Sequence, residues 1–267
     1  MAERLKFMEV IRKINIIRYK SCLKEEIEDW VIEEKPLNIF INNQYYATLM
    51  CTPNEVEELC VGFLFSNGII TSKDDIKEIE FSTGDIAFIN LGKEIKIDDL
   101  PKRALVSGCG GGLVDINMIN GNNLNIVKSQ CTFSGERMLK LMKEFNSMSH
   151  LFQQTGGAHS CCICGDNGIE FLSEDIGRHN AIDKTIGKCL LNDIERNSKM
   201  LFTTGRISSD ILVKTAKAGI PVLVSHSGPT DLAVDMAKKL NMTMVGFARG
   251  TRMNIYCGSE RLLFGNS

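Results

Sequence analysis

The sequence predicts an α/β protein in which a smaller N-terminal α+β subdomain precedes a larger α/β domain with a mostly parallel sheet. The chain has 267 residues, 43% of them hydrophobic, which is enough for one large domain or two modest ones with real cores. In the second half, apolar runs of strand length alternate with segments whose apolar residues recur at helical spacing. Consecutive βαβ units of this kind favour parallel strands covered by helices.

The N-terminal half alternates apolar and polar stretches over residues 30–50, which predicts two strands joined by a turn at Asn42 and Asn43. Residues 52–55 match a capping box with proline at the first helical position, so a helix is expected next, ending before Gly68. The apolar stripe predicted for this helix consists of Val56, Leu59, Cys60, Phe63 and Leu64. Strands are also expected at 76–81 and 86–91, and nothing in this half suggests chemistry.

The larger half is expected to open with an amphipathic helix over residues 133–148. The elements predicted later in this half are a strand at 200–204, a helix at 207–218, a strand at 222–225, a helix at 230–240 and a strand at 243–248. Gly or Pro marks each junction. The sequence therefore predicts an N-terminal subdomain at 1–102, a connecting region at 103–130 and an α/β domain at 131–267.

The segment from Glu174 to Lys184 concentrates ionisable and amide side chains around one glycine. It follows an apolar run that ends at Leu172 and precedes helical periodicity that reaches Leu190, so it is predicted to connect a strand to a helix. Ligands bind at such an edge of α/β sheets because the first N–H groups of a helix lack partners. The candidate site residues of the segment are Asp175, Arg178, His179, Asp183 and Lys184. The alternative is an elaborate helix cap, but a cap needs one oxygen and not an arginine, a histidine and a lysine as well.

Two further loops, at 205–209 and 227–231, are expected to line the same edge of the sheet. They offer hydroxyls, backbone donors and the cation of Arg206 to an anion such as phosphate. Near the end of the chain, Phe247 supplies an aromatic face and Arg249 and Arg252 supply two guanidiniums. These arginines are either ordinary surface residues or part of an anion site, and their expected place beside the edge favours the site.

The loop at 107–112 contains a single cysteine, Cys109, among four glycines. Because glycine removes neighbouring side chains and frees the backbone, this thiol is predicted to be open and able to move between partners. The alternatives are a plain flexible loop and a dinucleotide-binding turn, which would need glycine where Leu113 stands.

A second cysteine cluster has a metal-like spacing, with His159 two residues before Cys161, followed by Cys162 and Cys164. Zinc normally needs four ligands and a second cluster elsewhere in the chain, so a strand whose cysteines pack in the core is the simpler interpretation. No structural metal is predicted. His159 is either a site residue or a core histidine.

Bulk properties exclude several classes of protein. A net charge of −2 and a pI near 6.1 give no general attraction to nucleic acid or to an anionic membrane. No apolar run approaches the length that crosses a bilayer, and the N-terminus lacks a secretory pattern, so a cytoplasmic protein is expected. Most of the ten cysteines are then expected to be reduced thiols.

Five segments, in order along nearly the whole chain, resemble the formate dehydrogenase accessory sulfurtransferases, the FdhD family. The segments are residues 35–65, 155–159, 174–184, 204–208 and 246–256. The resemblance implies that the larger domain has a cytidine-deaminase-like three-layer α/β/α fold. It also implies a sulfur carrier that serves formate dehydrogenase, with Cys109 accepting sulfur as a persulfide from a cysteine desulfurase, and typically a homodimer.

The cofactor implied by the resemblance is the molybdenum cofactor in its bis(molybdopterin guanine dinucleotide) form, bound as substrate. The family's binding segment corresponds to Phe247, Ala248, Arg249, Gly250, Thr251 and Arg252. One departure concerns the cysteine loop, because Gly112 stands where the family commonly has a second cysteine. A mechanism that needs a cysteine pair is therefore in doubt, whereas a single thiolate suffices to carry a persulfide.

Two other functions remain open. One is a non-catalytic chaperone that binds the molybdenum cofactor or a guanine nucleotide. The other is a zinc-dependent deaminase, which would need a glutamate two residues after His159 and a later P-C-x-x-C pattern. The sequence has Cys161 at the first position and lacks the second pattern, so deaminase activity is not expected.

Overall fold

The computed structural model describes residues 10–93, 103–105, 113–115, 125–165 and 167–265. The elements of the N-terminal half are β1 (Ile11–Lys20), β2 (Leu23–Ile32), β3 (Lys35–Ile41), β4 (Gln44–Cys51), α1 (Val56–Ser66), β5 (Ile76–Ser82), β6 (Ile86–Leu91), β7 (Arg103–Leu105) and β8 (Leu113–Asp115). Those that follow are β9 (Phe133–Ser134), α2 (Gly135–Met148), α3 (His150–Thr155), β10 (His159–Gly165), β11 (Gly168–Asp175), α4 (Arg178–Leu191), β12 (Met200–Thr203), α5 (Ser209–Lys217), β13 (Val222–Ser225), α6 (Asp231–Lys239), β14 (Thr243–Arg249), β15 (Arg252–Cys257) and β16 (Leu262–Leu263). The predicted connecting region lies largely outside these residues, so the predicted domain boundaries stay predictions.

A long antiparallel ribbon of β1 and β2 begins the described chain, and sequence reasoning missed it. Its two-residue turn places Ser21 and Cys22 at φ 52° and 65°, the backbone that suits the twist of a hairpin. Charged and apolar residues are mixed on both faces of the ribbon, so the strands lack the alternation that reveals a half-buried strand. At its base, Trp30 and Ile32 pack on the small cluster around Leu151.

The smaller sheet has the strand order β4-β3-β6-β5, and the predicted strands and the turn at Asn42 and Asn43 are confirmed. Helix α1 is also confirmed, but its predicted capping box is wrong. Glu55 precedes the helix at φ 52° and no side chain caps it. The hydroxyl of Thr52 instead accepts the backbone N–H of Ile176, because the loop before α1 packs against the polar segment of the larger half.

The larger sheet has the order β11-β10-β12-β13-β14-β15. The predicted parallel pairing is confirmed for β12 with β13 and β13 with β14, whereas β10 pairs antiparallel with both β11 and β12, and β14 pairs antiparallel with β15. The sheet is therefore mixed rather than mostly parallel. Two of the antiparallel pairs, β10–β11 and β14–β15, are joined by connections too short for a crossover. Helix α2 packs on one face of this sheet and α4, α5 and α6 pack on the other, which gives three layers.

The two halves are joined at a very close crossing of α1 and α4. A Cβ atom on Gly62 would lie 1.8 Å from the carbonyl oxygen of Asp183, and one on Gly187 would lie 1.9 Å from that of Glu58. Only glycine allows the two backbones to approach so closely. The crossing places both halves in one continuous apolar core and fixes the beginning of α4, where the polar segment lies.

Candidate functional site

The candidate site lies at the edge of the larger sheet where β11, β12, β13 and β14 end. These strands point the same way, since β11 and β12 are both antiparallel to β10 and the next two are parallel to β12. The three predicted loops therefore line one edge, as expected. Hydrogen bonds tie the middle loops together: Ser225 Oγ donates to the Gly205 carbonyl at 2.6 Å and Ser227 Oγ donates to that of Thr204 at 2.8 Å.

The first part of the polar segment is an internally paired cluster around Asp175. Its carboxylate is fully buried and lies 2.7 Å from Lys184 Nζ, and it also accepts the N–H groups of Gly177 and Thr52 and the amide of Asn180. Lys184 donates further to the Thr52 carbonyl. Because these groups satisfy each other, Asp175 and Lys184 join the two halves of the protein rather than face a ligand.

Asp183 is likewise paired internally. It accepts a hydrogen bond from Lys214 on α5 and another from Ser66 Oγ on α1, the latter at 2.7 Å. Both Asp183 and Lys214 are almost completely buried. This pair therefore ties α1, α4 and α5 together, and the structure assigns it to packing.

Arg178 differs from these residues because its charge has no partner in the described chain. The residue is 5% exposed, its side chain makes no hydrogen bond or ion pair with described residues, and its Nε atom is buried without an acceptor. The aliphatic stem runs over Gly205, where a Cβ would lie 2.9 Å from Arg178 Cβ. A buried guanidinium nitrogen without an acceptor is costly, so this position favours an anion.

His179 is also buried, at 2% exposure, and its Nε2 atom contacts the carboxylate of Asp210 on α5. Burial lowers the pKa of His179, so the ring is neutral near pH 7 and donates its Nε2 proton. Burial acts to raise the pKa of Asp210, but the hydrogen bond and charge of His179 outweigh it and the pKa is lowered. His179 Nδ1 has no partner among the described residues.

His159 stands at the start of β10 beside the same residues. Its Nδ1 atom is 3.3 Å from the hydroxyl of Thr204, which accepts the N–H of Ser160. Burial and the neighbouring charges of Arg178 and His179 lower the pKa of His159. The sequence-predicted residues His159, Arg178 and His179 are therefore brought together, whereas Arg206 is exposed on the adjoining loop.

The hairpin between β14 and β15 forms the other end of the edge. Phe247 has φ 52°, a backbone conformation that is unusual for a residue with a bulky side chain. Such conformations are concentrated at functional sites. Its ring packs where a side chain on Gly228 would lie, and its N–H donates to the Ser227 carbonyl. Arg249 lies 5.6 Å from the ring centroid and donates from Nε to the His226 carbonyl.

The six residues predicted to bind the cofactor are not equivalent in position. Ala248 is buried in the core, Phe247 is partly buried, and Arg249, Gly250, Thr251 and Arg252 are exposed. The hairpin therefore presents guanidiniums, backbone and an aromatic ring beside the loop at 226–230.

The cysteines divide clearly by position. Cys109 and the neighbouring Gly112 lie outside the described residues, so the predicted reactive loop stays a prediction. Cys161, Cys162 and Cys164 are fully buried on β10, which confirms their interpretation as core residues. Among the cysteines that the structure describes, only Cys22 is exposed. In the same part of the chain, no group of three or more His, Cys, Asp or Glu side chains is arranged to hold a metal ion.

Sequence reasoning missed Thr52, Asp210 and Lys214 at this edge. Thr52 pairs with residues more than 120 positions away, which no local pattern reveals. Asp210 and Lys214 do carry a signal, since they stand four residues apart on the buried side of α5. No helix in the described ranges is long and apolar enough to cross a membrane.

Comparison with known proteins gives a consistent result. A model described as the FdhD/NarQ family matches residues 32–263. The sulfur carrier protein FdhD of Listeria innocua is 38% identical over 260 residues, covering 96% of this chain and 100% of that protein. That of Bacillus subtilis is 38% identical over 252 residues, covering 93% and 96%. The crystal structure of a formate dehydrogenase accessory protein from Desulfotalea psychrophila matches with a TM-score of 0.80 and 26% identity, over 95% of this chain and 100% of that one.

Proposed function

The chain belongs to the FdhD/NarQ family, and from this premise we propose that it is a sulfur carrier required for formate dehydrogenase activity. It takes sulfur from a cysteine desulfurase as a persulfide on Cys109. It then transfers the sulfur to the bis(molybdopterin guanine dinucleotide) molybdenum cofactor before that cofactor enters formate dehydrogenase. In this scheme it is a sulfurtransferase of the cytoplasm, working as a homodimer.

The state of the other cysteines supports the choice of Cys109. Burial raises the pKa of Cys51 and of Cys189 to about 12 and also raises those of Cys60, Cys161 and Cys162. Sulfur transfer begins when a thiolate attacks the outer sulfur of a donor persulfide, so buried thiols with raised pKa values are poor acceptors. The glycines that flank Cys109 in the sequence carry no side chains, so its thiol is expected to be open to such a donor.

The residues at this edge of the sheet support the molybdenum cofactor as the bound substrate, and this observation carries the proposal. The hairpin at 247–252 combines an aromatic residue at positive φ with exposed guanidiniums, which together suit guanine rings and diphosphates. The cofactor is a substrate in this scheme. The chain's own residues bind and orient its nucleotide arms, and Cys109 supplies the sulfur atom.

The test is intact-mass spectrometry after incubation with a cysteine desulfurase, pyridoxal phosphate and cysteine. Wild type is expected to gain one sulfur that dithiothreitol removes, and Cys109→Ser is expected to gain none. Cys22→Ser is the matched control, because Cys22 is the exposed cysteine of the described chain and its loss should leave the gain intact. An equal gain in Cys109→Ser would place the persulfide elsewhere and contradict the proposal.

A second candidate function is a chaperone that binds the cofactor without sulfur chemistry. It is favoured by the composition of the edge, whose described residues provide charges, amides and hydroxyls but no open thiol. Absence of sulfur gain in wild type, together with binding of guanosine diphosphate, would favour the chaperone.

A further inference from the structure

Arg178 and the two histidines beside it form a cluster at the site edge, and two of these residues have a buried nitrogen without a partner in the described chain. Arg178 is 5% exposed and His179 is 2% exposed, yet Arg178 Nε and His179 Nδ1 have no partner in the described chain. No described carboxylate lies within ion-pair distance of Arg178: that of Asp175 pairs with Lys184, and that of Asp210 contacts His179 through one oxygen while its Oδ1 has no partner among the described residues. The positive charge of Arg178 is therefore left without a counterion from these groups.

The loop after β12 packs against this cluster. Gly205 lets the stem of Arg178 pass, because any larger residue would place a Cβ 2.9 Å from that stem. Thr204 Oγ1 accepts the Ser160 N–H, so its own proton is available to His159 Nδ1, 3.3 Å away. This leaves the His159 proton on Nε2, a second donor beside the guanidinium.

We propose that Arg178, His159 and His179 form a subsite for a compact oxyanion, distinct from the hairpin at 247–252. The guanidinium supplies the charge and a planar pair of donors, His159 Nε2 supplies a further donor, and His179 Nδ1 accepts from a hydroxyl or water of the ligand. The beginning of α4, a helix of 14 residues, adds its unpaired N–H groups on the same side.

This proposal rests on the proposed function, because the molybdenum cofactor is the source of the oxyanion. The cofactor carries a metal–oxo centre and diphosphates, and each of these groups presents the oxyanion oxygens that the subsite binds. The hairpin then holds one end of the cargo while Arg178 holds the other. The same geometry explains why Arg178 is buried without a protein counterion, since the cargo supplies one.

The test measures binding of inorganic oxyanions to the full chain by calorimetry and thermal shift. The probes are molybdate, tungstate, inorganic phosphate and pyrophosphate, none of which needs the desulfurase or Cys109. Persulfide formation is read separately by mass, so failure of the subsite and failure of the sulfur-carrier function remain distinguishable. Preference for molybdate or tungstate would identify the metal–oxo end, and preference for pyrophosphate would identify the diphosphate.

Arg178→Met separates a binding role from a structural one. Replacing a buried, unpaired charge with an apolar side chain of similar length is expected to leave the melting temperature without anion equal or higher, and to abolish the stabilisation by anion. Arg178→Lys keeps the charge but loses the planar fork and is expected to weaken binding about tenfold or more. Arg12→Ala, an exposed change on the β1–β2 ribbon, is expected to bind within about twofold of wild type.

Two results would overturn the subsite. If wild type binds none of the probes and Arg178→Met melts several degrees lower, the guanidinium is neutralised by the chain itself. If Arg206→Ala loses as much affinity as Arg178→Lys, the anion binds to the open loop and not to the buried cluster.

Discussion

Replacing Gly62 with alanine tests the crossing that positions the beginning of α4. The added Cβ would lie 1.8 Å from the backbone oxygen of Asp183, so the helices must separate by about 1.6 Å to reach an ordinary contact of 3.4 Å. Overpacking of this kind costs about 1–3 kcal/mol and occasionally more, and here the obstacle is backbone that cannot rotate away. Alanine returns at most about 1 kcal/mol of helix propensity.

We expect Gly62→Ala to lower the free energy of unfolding by about 2 kcal/mol, the upper end of the overpacking cost less the gain in helix propensity. At about 2–4 °C per kcal/mol for a chain of this size, the melting temperature should fall by roughly 4–8 °C. Thermal and urea denaturation followed by circular dichroism measure both quantities. Gly92→Ala is the matched control, because its Cβ would meet no atom closer than 3.6 Å and its stability should change by less than about 0.5 kcal/mol. A melting temperature of Gly62→Ala within about 1 °C of wild type would refute the close crossing.

Three further predictions follow from the paired and unpaired charges. Lys184→Met strands a fully buried carboxylate and should cost about 3–5 kcal/mol, whereas Lys13→Met breaks an exposed pair and should cost less than about 1 kcal/mol in urea denaturation. Burial lowers the pKa of His179, so as pH falls the unfolded chain takes up the proton of this histidine before the folded chain does. The free energy of unfolding should therefore fall as pH drops below about 6.5, by at most about 1.4 kcal/mol per pH unit from this group. His179→Asn should lose less stability than wild type between about pH 7.5 and 5.5, and an equal loss would contradict the assignment. Arg249→Ala should weaken guanosine diphosphate binding about tenfold in calorimetry, while Arg12→Ala on the ribbon should not; equal affinities would exclude the hairpin.

Local patterns predicted those parts of the fold that depend on local physics. The strands and helices after residue 200 are marked by apolar periodicity and glycine or proline at each junction, and the structure has them within a few residues. The turn at Asn42 and Asn43 followed from the tolerance of asparagine for positive φ. The prediction of a capping box was wrong because residues 52–55 match the local pattern but hydrogen-bond to a loop 123 residues away. The predicted directions of the strands at the sheet edges were wrong for a similar reason. A strand has the same sequence pattern whether a hairpin or a crossover connects it to its neighbour.

The candidate site shows the same limit. Sequence reasoning placed the polar segment at the correct edge of the sheet, and it selected the residues that meet there. It could not tell Asp175, Asp183 and Lys184, which are neutralised by buried partners, from Arg178, which is not. That distinction depends on tertiary contacts with α1 and α5, and it decides which charges are available to a ligand.

The measurement that bears most directly on the account is formate dehydrogenase activity in cells that lack their own sulfur carrier and express this chain. Wild type and Cys22→Ser are expected to restore activity to similar levels, and Cys109→Ser is expected to restore none while accumulating to the same amount. Full restoration by Cys109→Ser would contradict the role of this thiol as the sulfur carrier and leave cofactor binding as the function.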